Sequence, residues 1–463
     1  MSDLSLRGYI ARIEGLGKDL GLDYFPVDFQ EVPPSFMMEV AVYGLPVRMP
    51  HWSFGVRWIY QMVQHRMGHS RIFEVVFPGN PNRAYLVNSN SLVENVLVTA
   101  HVLGHADFSK NNLLFERSQV EAGYHIVEQA AAHAHRIQQA ADEHGEARTE
   151  AVLDAALALE QHIDTQFGIN RPLYPTAVAA VPHRRQGDPF HSRFDALPGG
   201  QEGSAPVAKP ARRAPKIPPR PEADLLWFIA HYAPEMEDWE RDVFLAVREE
   251  SYYFQPVFSC QIMNEGWACH WHARILREAD FLSDEMYVDA MKTHSDVVRP
   301  YASNKQVALS VNPYHLGYEM WDRIVRDRGP EEARRIMREE DDFSFVRNYL
   351  DEDLARELNL FVYSAKANGE VRVASNGLHQ VHEAILGSKY NFGAPRVSVE
   401  AIRPDGTLVL RHDAGGDGRG LDLSRAKRVL DYIATVWRRP VELHTVDEKG
   451  DASRVTPTAS VAH

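Results

Sequence analysis

Residues 91–105, SLVENVLVTAHVLGH, decide how the chain is read. Asn90 and Ser91 both suit an N-cap, and the apolar residues after them fall on nearly every side of a helix, so the segment reads as a buried helix. That helix carries His101 and His105 four residues apart, on one face and about one turn from each other. Two imidazoles so spaced can share one metal ion, as on the HExxH helices of zinc peptidases. Glu94 lies seven residues before His101 on the same stripe, and Asp107 follows two after His105. Two structural histidines are the alternative that spacing leaves open.

A second polar run in apolar surroundings is NEGWACHWH, residues 264–272. On a helix Glu265 and His272 share one face, Trp267 and Trp271 share another, and His270 points elsewhere. A carboxylate carried into an apolar region needs a partner or a metal, so this run is either a second set of ligands or a Glu–His hydrogen bond that pins helices together. A third, lower-ranked stripe is Glu121, His125, Glu128 and His135, with His162 and Asp164 expected on the following helix. It lacks the Glu-x-x-His pairs of di-metal bundles.

The 463 residues carry 50 Lys+Arg against 64 Asp+Glu, a net charge of −14, which argues against a broad nucleic-acid or anionic-lipid surface. With 22 histidines and only 2 cysteines, a metal here would be held by imidazole and carboxylate rather than thiolate. No stretch approaches the run of about 20 apolar residues that spans a bilayer, and the first residues lack the pattern of a secretory signal, so a cytoplasmic protein is expected. No G-x-G-x-x-G, Walker loop or G-x-S-x-G elbow is present, and Cys269 beside His270 does not make a nucleophile pair, because helix neighbours do not face each other.

Outward from the two motifs, the pattern predicts an α+β fold, predominantly α-helical. Met37–Val42 reads as a strand, as do RIFEVVF and RAYLVN around Pro78–Asn82, giving a small N-terminal sheet. Residues 118–167 read as an antiparallel helix pair broken near Gly145. The expected divisions are 1–182 with the HxxxH motif, a Pro/Gly/Arg-rich linker at 183–222 (including KPARRAPKIPPRP), a helical part at 223–358 with the NEGWA motif packing on the first region, a C-terminal α+β domain at 359–450, and a disordered tail at 451–463.

Several long segments resemble the stage V sporulation protein R (SpoVR) family from about residue 9 to 450. They include YGLPVRMPHWSFG, AHVLGHADFSKNN, DLLWFIAHYAPEMEDWERD, EESYYFQP, IMNEGWACHWH, VNPYHLGYEMW, DDFSFVRNYLDEDLARELNLF and LDLSRAKRVLDYIATVW. The chain departs from the family pattern at FPGNPNRAYL, at Ser109 where an aromatic is usual, and in the linker. The resemblance implies a link to spore cortex formation or bacterial stress response, with a serine protein kinase and a von Willebrand A-type protein as associates. A weaker resemblance, to gluzincin metallopeptidases, implies a zincin-like helical core in which His101, His105 and Glu265 hold a divalent metal, zinc by donor type, with His272 as a further ligand candidate. The position of the usual HExxH glutamate is Val102, so a general base must come from elsewhere, with Asp107, Glu94 or His272 as candidates. A metal-dependent hydrolase of amide or peptide bonds and a non-catalytic adaptor of the kinase system are both compatible with this reading.

Overall fold

The helix expected around the HxxxH motif is α4, Leu92–Asn111, and nearly all of it is buried. Its start is fixed by a capping box: the Ser91 side chain accepts from the Glu94 N–H, and the Glu94 carboxylate accepts from the Ser91 N–H at 2.7 Å. The computed structural model describes residues 5–66, 74–174, 216–299, 311–365, 371–375, 377–387 and 389–458.

The helices that pack on α4 include α1 (Leu6–Asp19), α10 (Gln261–Glu278), which carries the NEGWA motif, and α11 (Asp284–Val297). Glycines let the backbones approach. A Cβ placed on Gly104 would sit 2.6 Å from Ala268 Cα, and one on Gly266 would sit 2.2 Å from the carbonyl carbon of Gly317 in α12 (Pro313–Arg328). The α4–α10–α12 stack is therefore held at a spacing only glycine permits at those two crossings. Around it a first apolar core gathers Leu103, Trp267, Trp271, Trp321, Phe345 and Leu386.

The N-terminal sheet has the order β1 (Val27–Val32), β3 (Asn82–Val87), β2 (Glu74–Phe77), with β1 parallel and β2 antiparallel to β3. The segment expected as a strand at Met37–Val42 is instead inside helix α2, Pro34–Tyr43. Pro34 at the first helical position and Gly44 in the left-handed conformation at the end bracket it, and these caps outweigh the apolar alternation through Val40 and Val42.

The antiparallel pair is α6 (Ile126–His144) and α7 (Glu146–Ala158), separated at Gly145 as the pattern indicated. The stripe drawn through Glu121, His125, Glu128 and His135 does not exist as one surface. A preceding helix, α5 (Leu113–Ala122), ends at Gly123 with φ 94°, so α6 starts on a new axis. His162 and Asp164 follow α7 in an irregular stretch rather than on a helix.

A second core joins α7 to α8 (Leu225–Tyr232), α9 (Asp238–Ser259), α18 (Leu423–Trp437) and a sheet ordered β6 (Val397–Ile402), β7 (Leu408–His412), β8 (Val441–Val446), β9 (Ala452–Val455). Residues 359–450 thus divide between cores: Val381 and Leu386 of α16 (Leu378–Leu386) belong to the first, and β6–β8 to the second. Two expectations are corrected at the edges. Ala452–Val455 of the supposed tail pairs with β8, and the end of the supposed linker is tied down, Glu222 bridging Val399 and Ile217 accepting from Ile402. The rest of that linker, with Arg212 and Arg213, lies outside the described residues. Among the described residues no helix is long and apolar enough to cross a membrane.

Between α6 and α9 a buried ionic group closes the bundle. His133 Nδ1 lies 3.2 Å from Glu250, its Nε2 lies 3.4 Å from Glu249, and Arg48 Nε donates to Glu250 at 2.8 Å. Burial works against a charged His133, but hydrogen bonds and charge from Glu249 and Glu250 prevail and push it up to about 9.

Two outcomes follow. Gly104→Ala should lower unfolding free energy by about 1–3 kcal/mol in denaturant titrations, because the backbone of α10 stands in the way of the added methyl. Since the folded-state value for His133 exceeds the ordinary imidazole value, its stabilisation is complete below that ordinary value and fades as pH rises through about 9. Unfolding free energy measured across the alkaline range should therefore fall more steeply for the parent than for His133→Gln; equal slopes would refute the assignment.

Candidate metal centre

Because α4 and α10 cross so closely, the two motifs face each other. The structure brings His101, His105 and Glu265 together: Glu265 Oε2 lies 3.6 Å from His101 Nε2 and 3.4 Å from His105 Nε2. One ligand atom from each of the three lies within 4.8 Å of the other two. The histidine–carboxylate separations are long for N–H···O hydrogen bonds. They match two ligand atoms each about 2.1 Å from a shared ion in tetrahedral geometry, which stand about 3.4 Å apart. His101 Nε2 and Glu265 Oε2 are buried without any hydrogen-bond partner. A divalent cation satisfies both atoms at once, and the N, N, O donor set suits zinc.

The outer contacts fix how the rings are presented. His105 Nδ1 lies 2.9 Å from Asn264 Oδ1; the amide oxygen can only accept, so Nδ1 carries a proton and Nε2 is the atom turned to Glu265. Burial opposes a charged His105, yet the charge of Glu265 helps to raise its pKa. His272 is not the fourth member of this set. Its Nδ1 meets His101 Nδ1 at 3.0 Å, on the far side of the ring from Nε2, and its Nε2 meets His294 Nδ1 at 2.6 Å. If His101 Nδ1 donates to His272, and His272 Nε2 donates to His294, His101 Nε2 is left as a bare lone pair. Burial and the neighbouring His101 hold His272 well below the usual imidazole range, so it is a neutral link in this relay.

An alternative group, His101, Cys269 and His272, is also within ligand reach. Burial, with the Glu265 and Glu74 carboxylates adding to it, pushes the Cys269 thiol up, which disfavours the thiolate a metal needs. The histidine–carboxylate group is the better ligand set. Glu265 is suited to it: burial opposes its ionised form, but His105 and His101 outweigh that and hold it at about 2.

Four contributors had not been singled out from the sequence. Glu74, on β2, reaches to 3.9 Å from His101 Nε2, and burial pushes its carboxyl up to about 7. Its signal was a lone acid in an otherwise apolar strand. Tyr314, near the start of α12, stacks on His101 at 6.2 Å between ring centroids, and its phenol is pushed up first by Glu265 and then by burial. Asn264 and His294 complete the outer contacts. Glu74, His101, His272 and Tyr314 line a cavity of about 520 Å³, as does Glu94.

Asp107 is not brought to the site. It is wholly buried on another side of α4, with Oδ1 accepting from the Asp23 N–H at 2.7 Å and Oδ2 from Trp267 Nε1 at 2.8 Å. Val102 points into the core. Among the lower-ranked residues, His125 precedes α6, Glu128 pairs with Arg83 at 3.0 Å, Glu121 accepts from the Ile169 N–H, and His135 is exposed, so they share no site. His270 stacks near Trp267 and is pushed down to about 4 by burial, away from the ligand set.

A family model described as "SpoVR like protein" matches residues 2–394, which include both histidine motifs. The "Uncharacterized protein YcgB" of Escherichia coli (strain K12) is 27% identical over 483 aligned positions, covering 96% of this chain and 92% of that protein. No solved structure matches the chain.

Asp107→Asn tests the division between support and site. The amide nitrogen that replaces one carboxylate oxygen cannot accept a hydrogen bond, so unfolding free energy should drop by about 1–3 kcal/mol, while any metal content measured by elemental analysis should stay that of the parent.

Proposed function

This chain belongs to the SpoVR-like family, and from that premise and the site's geometry we propose that it is a metal-dependent hydrolase of amide or peptide bonds. His101, His105 and Glu265 would hold a divalent cation, zinc by donor type, in a zincin-like arrangement. The observation that carries this reading is the facing of His101 Nε2 and Glu265 Oε2, buried and unsatisfied, at 3.6 Å. A cation held there supplies Lewis acidity toward a carbonyl oxygen.

The protein's own groups supply the rest. Glu74, at 3.9 Å from His101 Nε2 on the cavity wall, is the general base in place of the glutamate absent at position 102; its Oε1 takes the proton of the attacking water and returns it to the leaving amine. Tyr314 retains its phenolic proton beside Glu265 and donates to the oxygen on which charge develops. His272 and His294 hold the ring of His101 in register. Glu94 lines the cavity further from the ligands and is not needed for proton transfer. Two buried free cysteines suit the reducing cytoplasm, where the substrate would be a cell-wall precursor or a stress- or sporulation-linked peptide.

Val102 favours a second reading, a non-catalytic adaptor with a structural metal that works with a serine protein kinase and a von Willebrand A-type protein. The two readings separate cleanly. The purified chain should hold one equivalent of zinc by elemental analysis, and His101→Ala or Glu265→Ala should lose it. Glu74→Gln should keep the zinc yet lower hydrolysis of a peptide-amide library by about 100-fold or more. Zinc retention with no hydrolysis in the parent would leave the adaptor; absence of zinc would sink the site.

A further inference from the structure

Glu265 and His272 occupy one side of α10; the other side carries a second cavity, which the metal reading does not use. Trp267, Trp271 and Arg274 follow one another at spacings of four and three, on a stripe roughly opposite Glu265. With His270, and with Arg334 from α13 (Pro330–Glu339), they line a cavity of about 180 Å³. Both guanidiniums lie over one indole: Cζ is 5.0 Å from the Trp271 ring centroid for Arg274 and 5.4 Å for Arg334. The ring's negative face stabilises each cation, but two like charges gathered at one ring repel.

Their donors are largely unused. Arg274 is half-buried and makes no hydrogen bond or ion pair with any described residue. Arg334 donates one N–H to the Gly21 carbonyl at 2.6 Å, and the Asp107 carboxylate at 3.9 Å is too far to accept from it. Trp271, 3% exposed, adds an indole N–H that is buried without a hydrogen-bond partner. The acids nearby are engaged elsewhere: Asp107 accepts from the Asp23 N–H and from Trp267, and Asp322, which acts on His270, lies 3.8 Å from Arg326. Among the described residues no carboxylate lines the cavity. A cation held partly out of water without a counter-charge costs free energy until an anion joins it.

A guanidinium presents its N–H groups in a planar fork that matches the oxygens of a phosphate two at a time. A dianion seated against Arg274 and Arg334 offsets their repulsion and accepts from donors that nothing else takes. We propose that this cavity binds a phosphate group, either as the free ion or as a monoester whose organic part stays outside. The inference stands on Arg274, Arg334 and Trp271 and does not depend on the metal centre.

Calorimetric titration of the full chain at fixed ionic strength, with inorganic phosphate, phenyl phosphate and benzoate, tests it. Both phosphates should bind saturably with Kd below about 1 mM, and benzoate, with a single charge, about tenfold more weakly. Tighter binding of phenyl phosphate would identify an ester as the ligand, and tighter binding of inorganic phosphate the free ion. Arg274→Gln should weaken phosphate binding about tenfold or more, and Arg274→Lys, which keeps the charge without the fork, should fall between it and the parent. Because Arg274 makes no hydrogen bond in the fold, both variants should fold as the parent does. His101→Ala, across α4 from this cavity, should bind phosphate like the parent. Lack of saturable phosphate binding, benzoate binding as tight as phosphate, unchanged affinity in Arg274→Gln, or phosphate binding that disappears in folded His101→Ala would each overturn the inference.

Discussion

The close crossing of α4 and α10 is the constraint on which the rest depends. Gly104 admits the backbone of Ala268 to a distance no side chain would allow, and the candidate ligands sit within one turn of that point: His101 and His105 on one helix, Glu265 on the other. The second glycine crossing, Gly266 on Gly317, sets α12 against the same stretch of α10, which delivers Tyr314 to the ring of His101. Backbone packing, not loop placement, positions the polar groups. A ligand set built on packed helices loses little geometry to thermal motion, because interiors at native density cannot relax one element without moving its neighbours.

That rigidity has an electrostatic consequence. Three groups converge, His101 buried and His105 and Glu265 half-buried: Asn264 and His272 occupy the Nδ1 atoms of the two histidines, and the Nε2 atoms are left facing one carboxylate across a gap too wide for a good hydrogen bond, with His101 Nε2 and Glu265 Oε2 unsatisfied. Burying unsatisfied polar atoms costs folding free energy. A protein that spends stability this way at one point, while satisfying the comparable cluster of His133, Glu250 and Arg48 by direct contact, has two different uses for buried charge. The second cluster fastens helices. The first leaves His101 Nε2 and Glu265 Oε2 without a partner, which is what the proposed cation would supply.

Much of this was legible in the sequence, and the failures have identifiable causes. The all-round apolar α4 and the NEGWA helix were readable because burial on every face leaves few alternatives for a polar residue there. Helical spacing placed His101 and His105 on one face, whereas joining Glu265 to them came from the gluzincin resemblance. Asp107 was misjudged because nearness in sequence to His105 says nothing about which neighbour fills the side chain's direction, and here Trp267 and the Asp23 N–H fill it. The strand expected at Met37–Val42 failed because apolar runs are ambiguous and the caps at Pro34 and Gly44 decided the matter. The stripe through Glu121 and His135 assumed a helix that Gly123 ends.

Glu74 shows where sequence reading meets a physical limit. On a helix carrying His101 and His105, residue 102 is rotated about 100° from the ligand face, and in this fold that direction is core, where Val102 is fully buried. A carboxylate there would have been an unpartnered buried charge. In the proposed hydrolase a base would have to come from a different element, and β2, antiparallel to β3 with Glu74 opposite Leu86, brings Glu74 to 3.9 Å from His101 Nε2. Supplying the base from a strand uncouples it from the ligand helix. Its burial, and with it the raised carboxyl, can then change without disturbing the spacing of the histidines. Such a device leaves no fixed spacing in the sequence, since the distance from Glu74 to His101 along the chain depends on the turn between β2 and β3 and on the loop before α4. Only the three-dimensional crossing makes the two residues neighbours.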